Sequence, residues 1–168
     1  GYDVKKSEIH GMAQRGGSVT SQVRWADQVL SPIIGRGEAD LMLAFEKLEA
    51  VRFASLARPG AIIVVNDYAI PPVSVSVGGD SYPTDEQVRE ALQAVSRHVY
   101  FLSGVTLAGE LGNARVNNVV LLGALSHFVP VEVDAWLAAI SERVPERTLE
   151  VNRAAFLKGR EAASHWLH

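Results

Sequence analysis

Two hydrophobic periods divide this chain. Ser18-Val-Thr-Ser-Gln-Val-Arg-Trp25 alternates strictly: Val19, Val23 and Trp25 fall on one face with Ser21, while Thr20, Gln22 and Arg24 fall on the other. A period of two predicts a half-buried strand. Asp3-Val-Lys-Lys-Ser7 before it is a short extended run. Asp40-Leu-Met-Leu-Ala-Phe45 and Ala61-Ile-Ile-Val-Val65 are instead continuously apolar, the pattern of strands buried on both faces. Between these two, Glu46 to Ala57 sets Leu48, Val51 (or Phe53) and Leu56 at helical spacing, with Pro59-Gly60 expected to end the helix. Asp40 to Asn66 therefore reads strand–helix–strand, a parallel pair with a right-handed crossover.

Further on, Val73, Val75 and Val77 alternate with Ser74 and Ser76 after two prolines, which predicts an edge strand or an excursion from the sheet. Gly78 to Pro83 is rich in turn formers. Thr84 is expected to cap a helix, with Gln87 completing a capping box and Val88, Ala91, Leu92 and Val95 as its apolar face. His98 to Leu102 predicts another short strand. From Gly104 the pattern is helical: Val105 to Leu111 closed by Gly112, Val116 to Phe128 apolar almost all round, and Val133 to Val144 with Trp136, Leu137 and Ile140 on one side. A last helix is expected from about Glu146 to Ala163, packing through Leu149, Ala154, Phe156 and Leu157. Gly123, inside the buried helix, permits a close helix approach. The fold class is α/β: a three-layer α/β/α domain with a mostly parallel central sheet, residues 1–168 forming one domain.

Composition narrows the function. The 168 residues carry a formal net charge of -3 and no cysteine. Disulfides, a cysteine nucleophile and a cysteine-ligated iron–sulfur cluster on this chain are excluded. With no Lys/Arg cluster, no nucleic acid is expected as a partner. No apolar run reaches membrane-spanning length and no signal-peptide pattern opens the sequence, so no membrane contact and a cytoplasmic setting are expected.

The polar chemistry concentrates in Glu8-Ile-His-Gly-Met-Ala-Gln-Arg-Gly-Gly17. Glycine lacks Cβ and tolerates positive φ, so this connection between two strands lets the backbone come close to another molecule. A tight connection whose polar residues only satisfy their own backbone accounts for the same composition. No histidine has metal-ligand spacing, and no metal is expected. His127 is expected to interact with carbonyls at the end of its helix, and His165 and His168 to be solvated. Glu46, Glu49 and Arg52 read as a surface ion-pair ladder. Glu110, Asn113, Asn117 and Asn118, with Arg115, form a second polar cluster whose plain reading is capping between helices. Phosphate-binding and nucleophile-elbow motifs are absent.

The stretch Glu8-Ile-His-Gly-Met-Ala-Gln-Arg-Gly-Gly-Ser-Val19 resembles the signature of the gamma domain of 2-oxoacid:ferredoxin oxidoreductases, most closely the beta subunit of the indolepyruvate enzymes. Matching features follow in order: Gly37-Glu-Ala-Asp40, Glu46-x-x-Glu-Ala-x-Arg52, Pro59-Gly60 before a strand ending in Asn66, Tyr82-Pro83, Leu107-Ala-x-Glu-Leu-Gly-Asn113, Asn117-Asn118 and Asn152-x-x-Ala-Phe156.

The resemblance implies a Rossmann-like fold and an accessory subunit, inactive alone and contributing no catalytic residue. Its complex would decarboxylate a 2-oxoacid, indolepyruvate by similarity, to an aryl-acetyl-CoA while reducing ferredoxin. No cofactor is expected on this chain. Thiamine diphosphate and iron–sulfur clusters belong to the large (alpha) partner subunit, and CoA is the co-substrate. Glu8, His10, Gly11, Gln14, Arg15, Gly16 and Gly17 are expected to face that partner or the substrate and CoA. The alternative is a free-standing nucleotide- or CoA-binding module without redox activity. Family members open with a strand and a Gly-Gly-Gln-Gly loop before the segment equivalent to Gly1. The sequence is therefore expected to be truncated, with an unfilled sheet edge or apolar groove and possible self-association.

Overall fold

The computed structural model describes residues 1–10, 18–72, 75, 78 and 81–167. Its strands are β1 (Asp3–His10), β2 (Val19–Ala26), β3 (Ala39–Ala44), β4 (Ala57–Asn66) and β5 (Val99–Leu102). Its helices are α1 (Lys47–Phe53), α2 (Asp85–Gln93), α3 (Gly104–Glu110), α4 (Asn117–Leu125), α5 (Val133–Arg143) and α6 (Leu149–Ala162).

The continuous apolar runs form a parallel three-stranded sheet in the order β3-β4-β5, with Leu41 opposite Ile62 and Ile63 opposite Val99. Ile63, Val64 and Val65 are fully buried, so β4 is covered on both faces. On one side Ile63 and Val65 pack with Ala50 and Ala54 below α1 and with Val88 and Leu92 of α2. Across the sheet, Leu43 packs against the cluster of Ala108, Val120, Leu121 and Ala155 supplied by α3, α4 and α6. These are the three layers the pattern predicts, and the molecule is a mixed α/β, Rossmann-like fold.

The ends of α2 and α3 form as expected. Thr84 Oγ1 accepts from the Gln87 amide at 3.2 Å while Gln87 Oε1 accepts from the Thr84 amide at 2.9 Å. Gly112, at φ 77°, supplies the left-handed turn after α3. In α4, a Cβ on Gly123 would lie 2.0 Å from the Phe156 carbonyl oxygen of α6. Gly159 of α6 meets α4 reciprocally, its Cβ position 1.8 Å from the Val120 carbonyl oxygen. The two helices thus touch backbone to backbone, and the second glycine of the pair carried no signal of its own.

Some of these expectations are corrected. Pro59-Gly60 does not end α1. The helix stops at Phe53, a 3-10 turn spans Ala54–Leu56, and β4 already begins at Ala57. The exposed Arg58-Pro59-Gly60 segment tolerates proline because its missing N–H faces water, and the register slips between Ala39 and Leu41 of β3 opposite it. Of Ile70 to Val77, expected as an edge strand or an excursion from the sheet, residues 70–72 are irregular and Val75 is helical, its amide bonding the Pro72 carbonyl at 3.1 Å, so the described residues form an excursion. The other residues of that segment lie outside the described ones. Leu157, expected to pack, is exposed.

β2 is the half-buried strand its period predicts. It pairs antiparallel with β1 in a separate two-stranded sheet, with Val4 opposite Trp25, Lys6 opposite Val23 and Glu8 opposite Ser21. The alternation is real, but the polar face turns inward. Gln22 is buried, and its Oε1 accepts the Ile34 amide at 2.7 Å. Asp3 Oδ2 accepts the Val29 amide at 2.8 Å, and Arg24 pairs with Glu38 at 2.7 Å. The segment between β2 and β3 leaves backbone donors without strand partners, and the inner face of the hairpin satisfies them. The apolar side chains consequently stay partly exposed, with Val23 and Trp25 lining a crevice beside β3 and β4.

Candidate functional site

Glu8 lies on the outward face of β1, where Ser21 Oγ donates to its Oε1 at 3.4 Å. His10 closes β1 opposite Val19. Gly11, Gln14, Arg15, Gly16 and Gly17 lie outside the described residues. Their flank is nevertheless located, because Ser18 Oγ donates to Glu49 Oε2 in the first turn of α1. Helix α1 starts just past the carboxyl end of β3. Ser18, the residue that follows the glycine-rich stretch, is therefore tied to the rim where open parallel sheets present ligands, outside the carboxyl ends of their strands.

That rim is rigid. Glu46, expected on a surface ladder, is buried and caps α1: Oε2 accepts the Glu49 amide at 2.9 Å, and Oε1 accepts the Ile70 amide at 3.1 Å and the Tyr82 hydroxyl. The Tyr82 oxygen in turn accepts the Leu48 amide at 3.2 Å. Burial, and then the Glu46 carboxylate, push the Tyr82 phenol well above its usual pKa, so it stays a neutral donor. Lys47 bridges Asp85 at 2.6 Å and Asp67 at 3.1 Å, and its ammonium is held above its usual pKa by Asp85 first. Asn66 joins all three strand ends, donating to the Phe45 carbonyl at 3.1 Å and accepting the Gly104 amide at 3.0 Å. Sequence reasoning missed Glu46 as a hub. Its signal was an acid three residues before the acidic Glu49 at a strand-to-helix junction, the position of an N-cap.

The other ladder members behave as expected, with Arg52 pairing Glu49 at 2.5 Å. In the second polar cluster, Glu110 pairs with Lys158 at 2.8 Å, Asn113 accepts the Arg115 amide at 3.1 Å, and Asn117 donates to the Ala114 carbonyl at 2.9 Å. Asn118 is exposed. These are caps and an interhelical tie on the α3–α4 layer, whereas Ser18 is held by α1 on the opposite layer. His127 bonds the Arg160 carbonyl at 2.7 Å, so it caps α6 rather than its own helix.

A crevice of about 400 Å³ lies between β2 and the β3–β4 edge, floored by Leu41, Ile62 and Phe128. Its two guanidiniums are already neutralised, Arg24 by Glu38 at 2.7 Å and Arg58 by Asp40 at 2.6 Å, which leaves no spare charge for an anion. Among the described residues no three His, Asp or Glu side chains cluster as a metal site. With no cysteine anywhere in the chain, the donor set does not fit a thiolate-bound iron–sulfur cluster.

Residues 1–162 match the pyruvate ferredoxin/flavodoxin oxidoreductase family. The chain belongs to that family. It is 36% identical over 170 residues to indolepyruvate oxidoreductase subunit IorB of Thermococcus kodakarensis, covering 99% of this chain and 84% of that protein. It is 35% identical over 164 residues to the IorB of Methanothermobacter thermautotrophicus, covering 96% of this chain and 83% of that one. Among solved structures it resembles the gamma subunit of a keto/oxoacid ferredoxin oxidoreductase from Geobacter sulfurreducens, with TM-score 0.67, 23% identity, and coverage of 98% of this chain and 82% of that one. A 2-oxoglutarate:ferredoxin oxidoreductase from Magnetococcus marinus matches with TM-score 0.67 and 22% identity, over 98% of this chain and 26% of that chain. These two likenesses are of fold.

Proposed function

We propose that this chain, as one gamma-type domain, is the accessory subunit of a 2-oxoacid:ferredoxin oxidoreductase acting on indolepyruvate. In this reading a large cytoplasmic partner carries thiamine diphosphate and the iron–sulfur clusters, performs the decarboxylation and passes electrons to ferredoxin. The acyl group leaves on CoA. Family membership along residues 1–162, with relatives that are themselves indolepyruvate oxidoreductase subunits, carries the reading. The cofactor chemistry is the cofactors' own, and this chain contributes binding and orientation.

The stretch from Glu8 to Gly17 is assigned to the partner-facing side, where substrate and CoA meet the complex. The Ser18–Glu49 bond supports this by fixing its flank at the carboxyl rim of the sheet. Arg15 is proposed to pair with an anionic group of CoA or with a partner carboxylate, the pairing a guanidinium makes bidentately. Gly11, Gly16 and Gly17 let the main chain approach closely. His10 and Gln14 orient by hydrogen bonding. The test is Arg15→Ala and His10→Ala in the reconstituted complex. Loss of assembly or of CoA-dependent turnover is expected in at least one, and wild-type assembly and kinetics in both would return the stretch to a steric connection.

A further inference from the structure

We infer that Glu49 is a positioning residue: through its hydrogen bond to Ser18 it holds the outer half of the β1–β2 hairpin, with Glu8 and His10, at the carboxyl rim of the sheet, and so sets how tightly the complex takes CoA. The inference rests on the function proposed above and names the side chain that keeps the proposed site in place. The hairpin is fastened unevenly. Near its base three ties join it to the segment between β2 and β3: Asp3 to the Val29 amide at 2.8 Å, Gln22 to the Ile34 amide at 2.7 Å and Arg24 to Glu38 at 2.7 Å. Beyond Gln22, which pairs with Ser7, the strands run on to the pair His10–Val19. Among the described residues, Ser18–Glu49 is the one hydrogen bond or ion pair between that outer half and the rest of the molecule. From Gln22 to Ser18 the strand is an arm of about 13 Å. A two-stranded ribbon is marginally stable and strongly twisted, so it does not keep such an arm rigid by itself. A rotation of about 10° at Gln22 moves the far end by about 2 Å, and a misplacement of about 1 Å is enough to spoil a productive geometry.

The anchor is itself fixed before it reaches Ser18. Its amide donates to Glu46 Oε2 at 2.9 Å, and its Oε1 pairs with Arg52 at 2.5 Å, which leaves Oε2 for the serine. Helix α1 beneath it is clamped to two other segments, by Lys47 to Asp67 and Asp85 and by the Leu48 amide to the Tyr82 oxygen. A surface ladder requires only Arg52, and a serine at a strand end ordinarily bonds water or its own turn. Here the hydroxyl reaches a carboxylate 31 positions along the chain. The acceptor is charged, so the bond is of the stronger kind and holds its geometry.

The experiment uses the full chain, alone and in the complex reconstituted with its large subunit. Ser18→Ala and Glu49→Ala remove the tie from either side, while Glu49→Gln keeps a hydrogen-bonding partner for the serine. In the isolated chain, hydrogen exchange should quicken in Ser18→Ala and Glu49→Ala at the outer pairs, Glu8–Ser21 to His10–Val19, and stay as in the wild type at the inner pair Val4–Trp25. In the complex, the KM for CoA should rise about tenfold in both with kcat held within about twofold, the signature of lost binding that is uniform between ground and transition states. The double variant should lose no more than either single one, since both break the same bond. Glu49→Gln should stay within about threefold of the wild-type KM. Unchanged exchange would show that the bond does not hold the outer half, and quickened exchange with a wild-type KM would show that the held geometry is not used; either overturns the inference. If Glu49→Gln loses as much as Glu49→Ala, the charge of Glu49 acts rather than its bond to Ser18, and the inference falls. A wild-type complex without CoA-dependent turnover would overturn the proposed function and this role with it, a result separable from failure of the variants beside an active wild type.

Discussion

The parallel sheet and the hairpin use the same residue types with opposite outcomes. In β4 the run Ile63-Val64-Val65 is fully buried because layers of helix cover both faces of the sheet. In β2 the valines and Trp25 are the exposed side, and the glutamine is buried. A period of two states that a strand has two faces; it does not state which one faces the core. Direction is set by what lies beneath. Under β4 lie apolar helix faces, which reward burial of β-branched side chains. Beneath the hairpin lies a segment whose Val29 and Ile34 amides have no strand partner, and an acceptor at Asp3 or Gln22 is worth more there than a methyl group.

The largest expected effect lies in the helical layer supporting the sheet. Gly159→Ala places a methyl 1.8 Å from the Val120 carbonyl oxygen, which only separation of α4 and α6 can relieve. A loss of about 3 kcal/mol or more is expected, above the usual cost of overpacking because backbone cannot rotate away. Thermal unfolding of the purified chain measures it. A shift of only a few degrees would mean that the two helices are not in backbone contact. The next effect contrasts the regions directly. Leu92→Ala, at a fully buried position against the sheet, should cost about 2–5 kcal/mol. Val23→Ala in the hairpin should stay within about 0.5 kcal/mol in the isolated chain. Equal losses in denaturant titration would contradict the outward assignment of Val23.

What the sequence made legible follows the same division. Continuous apolar runs, the Thr84–Gln87 box, Gly112 and the βαβ order are local signals, and each appears in place. Gly123 was readable because a glycine is out of place in an apolar helix, whereas Gly159 sits in an amphipathic helix where nothing marks it. Glu46 was misplaced because its partners, Ile70 and Tyr82, are distant in sequence and turn a surface acid into a buried cap. The site is less legible than the fold for the same reason. The Glu8–Gly17 signature shows which residues are unusual, while the rim they adjoin is assembled from Glu46, Asn66 and Tyr82, three separate segments.

A middle-sized effect tests why the hairpin is inverted. By pattern alone, Gln22→Leu should stabilise, since the position is buried. By the hydrogen bond to Ile34 it should destabilise by about 1–3 kcal/mol, because the amide is left without an acceptor. Destabilisation is expected, together with faster hydrogen exchange at the Ile34 amide. A more stable variant would show that the inward polar face is incidental.

The smallest effect separates the two regions by pH. The Val29 amide and then Lys5 hold the Asp3 carboxyl below its usual value of 3.8. A folded-state pKa depressed in this way contributes stability that is present above 3.8 and lost as pH falls through the lower folded value. Asp3→Asn keeps an oxygen for the Val29 amide but no charge, so it should lower hairpin stability slightly at neutral pH. The difference from wild type should shrink as pH falls from 3.8 through the lower folded value, because the folded wild-type carboxyl becomes neutral only below that value. Exchange of the Val29 amide, followed between neutral and acid pH in both proteins, reads the hairpin alone. Amides of Ile63 to Val65, in a sheet core without a titrating side chain, should show the same protection in wild type and variant throughout, after correction for intrinsic exchange. A wild-type to Asp3→Asn difference at Val29 that persists unchanged below that range would mean that the charge on Asp3 does not hold the hairpin to its loop.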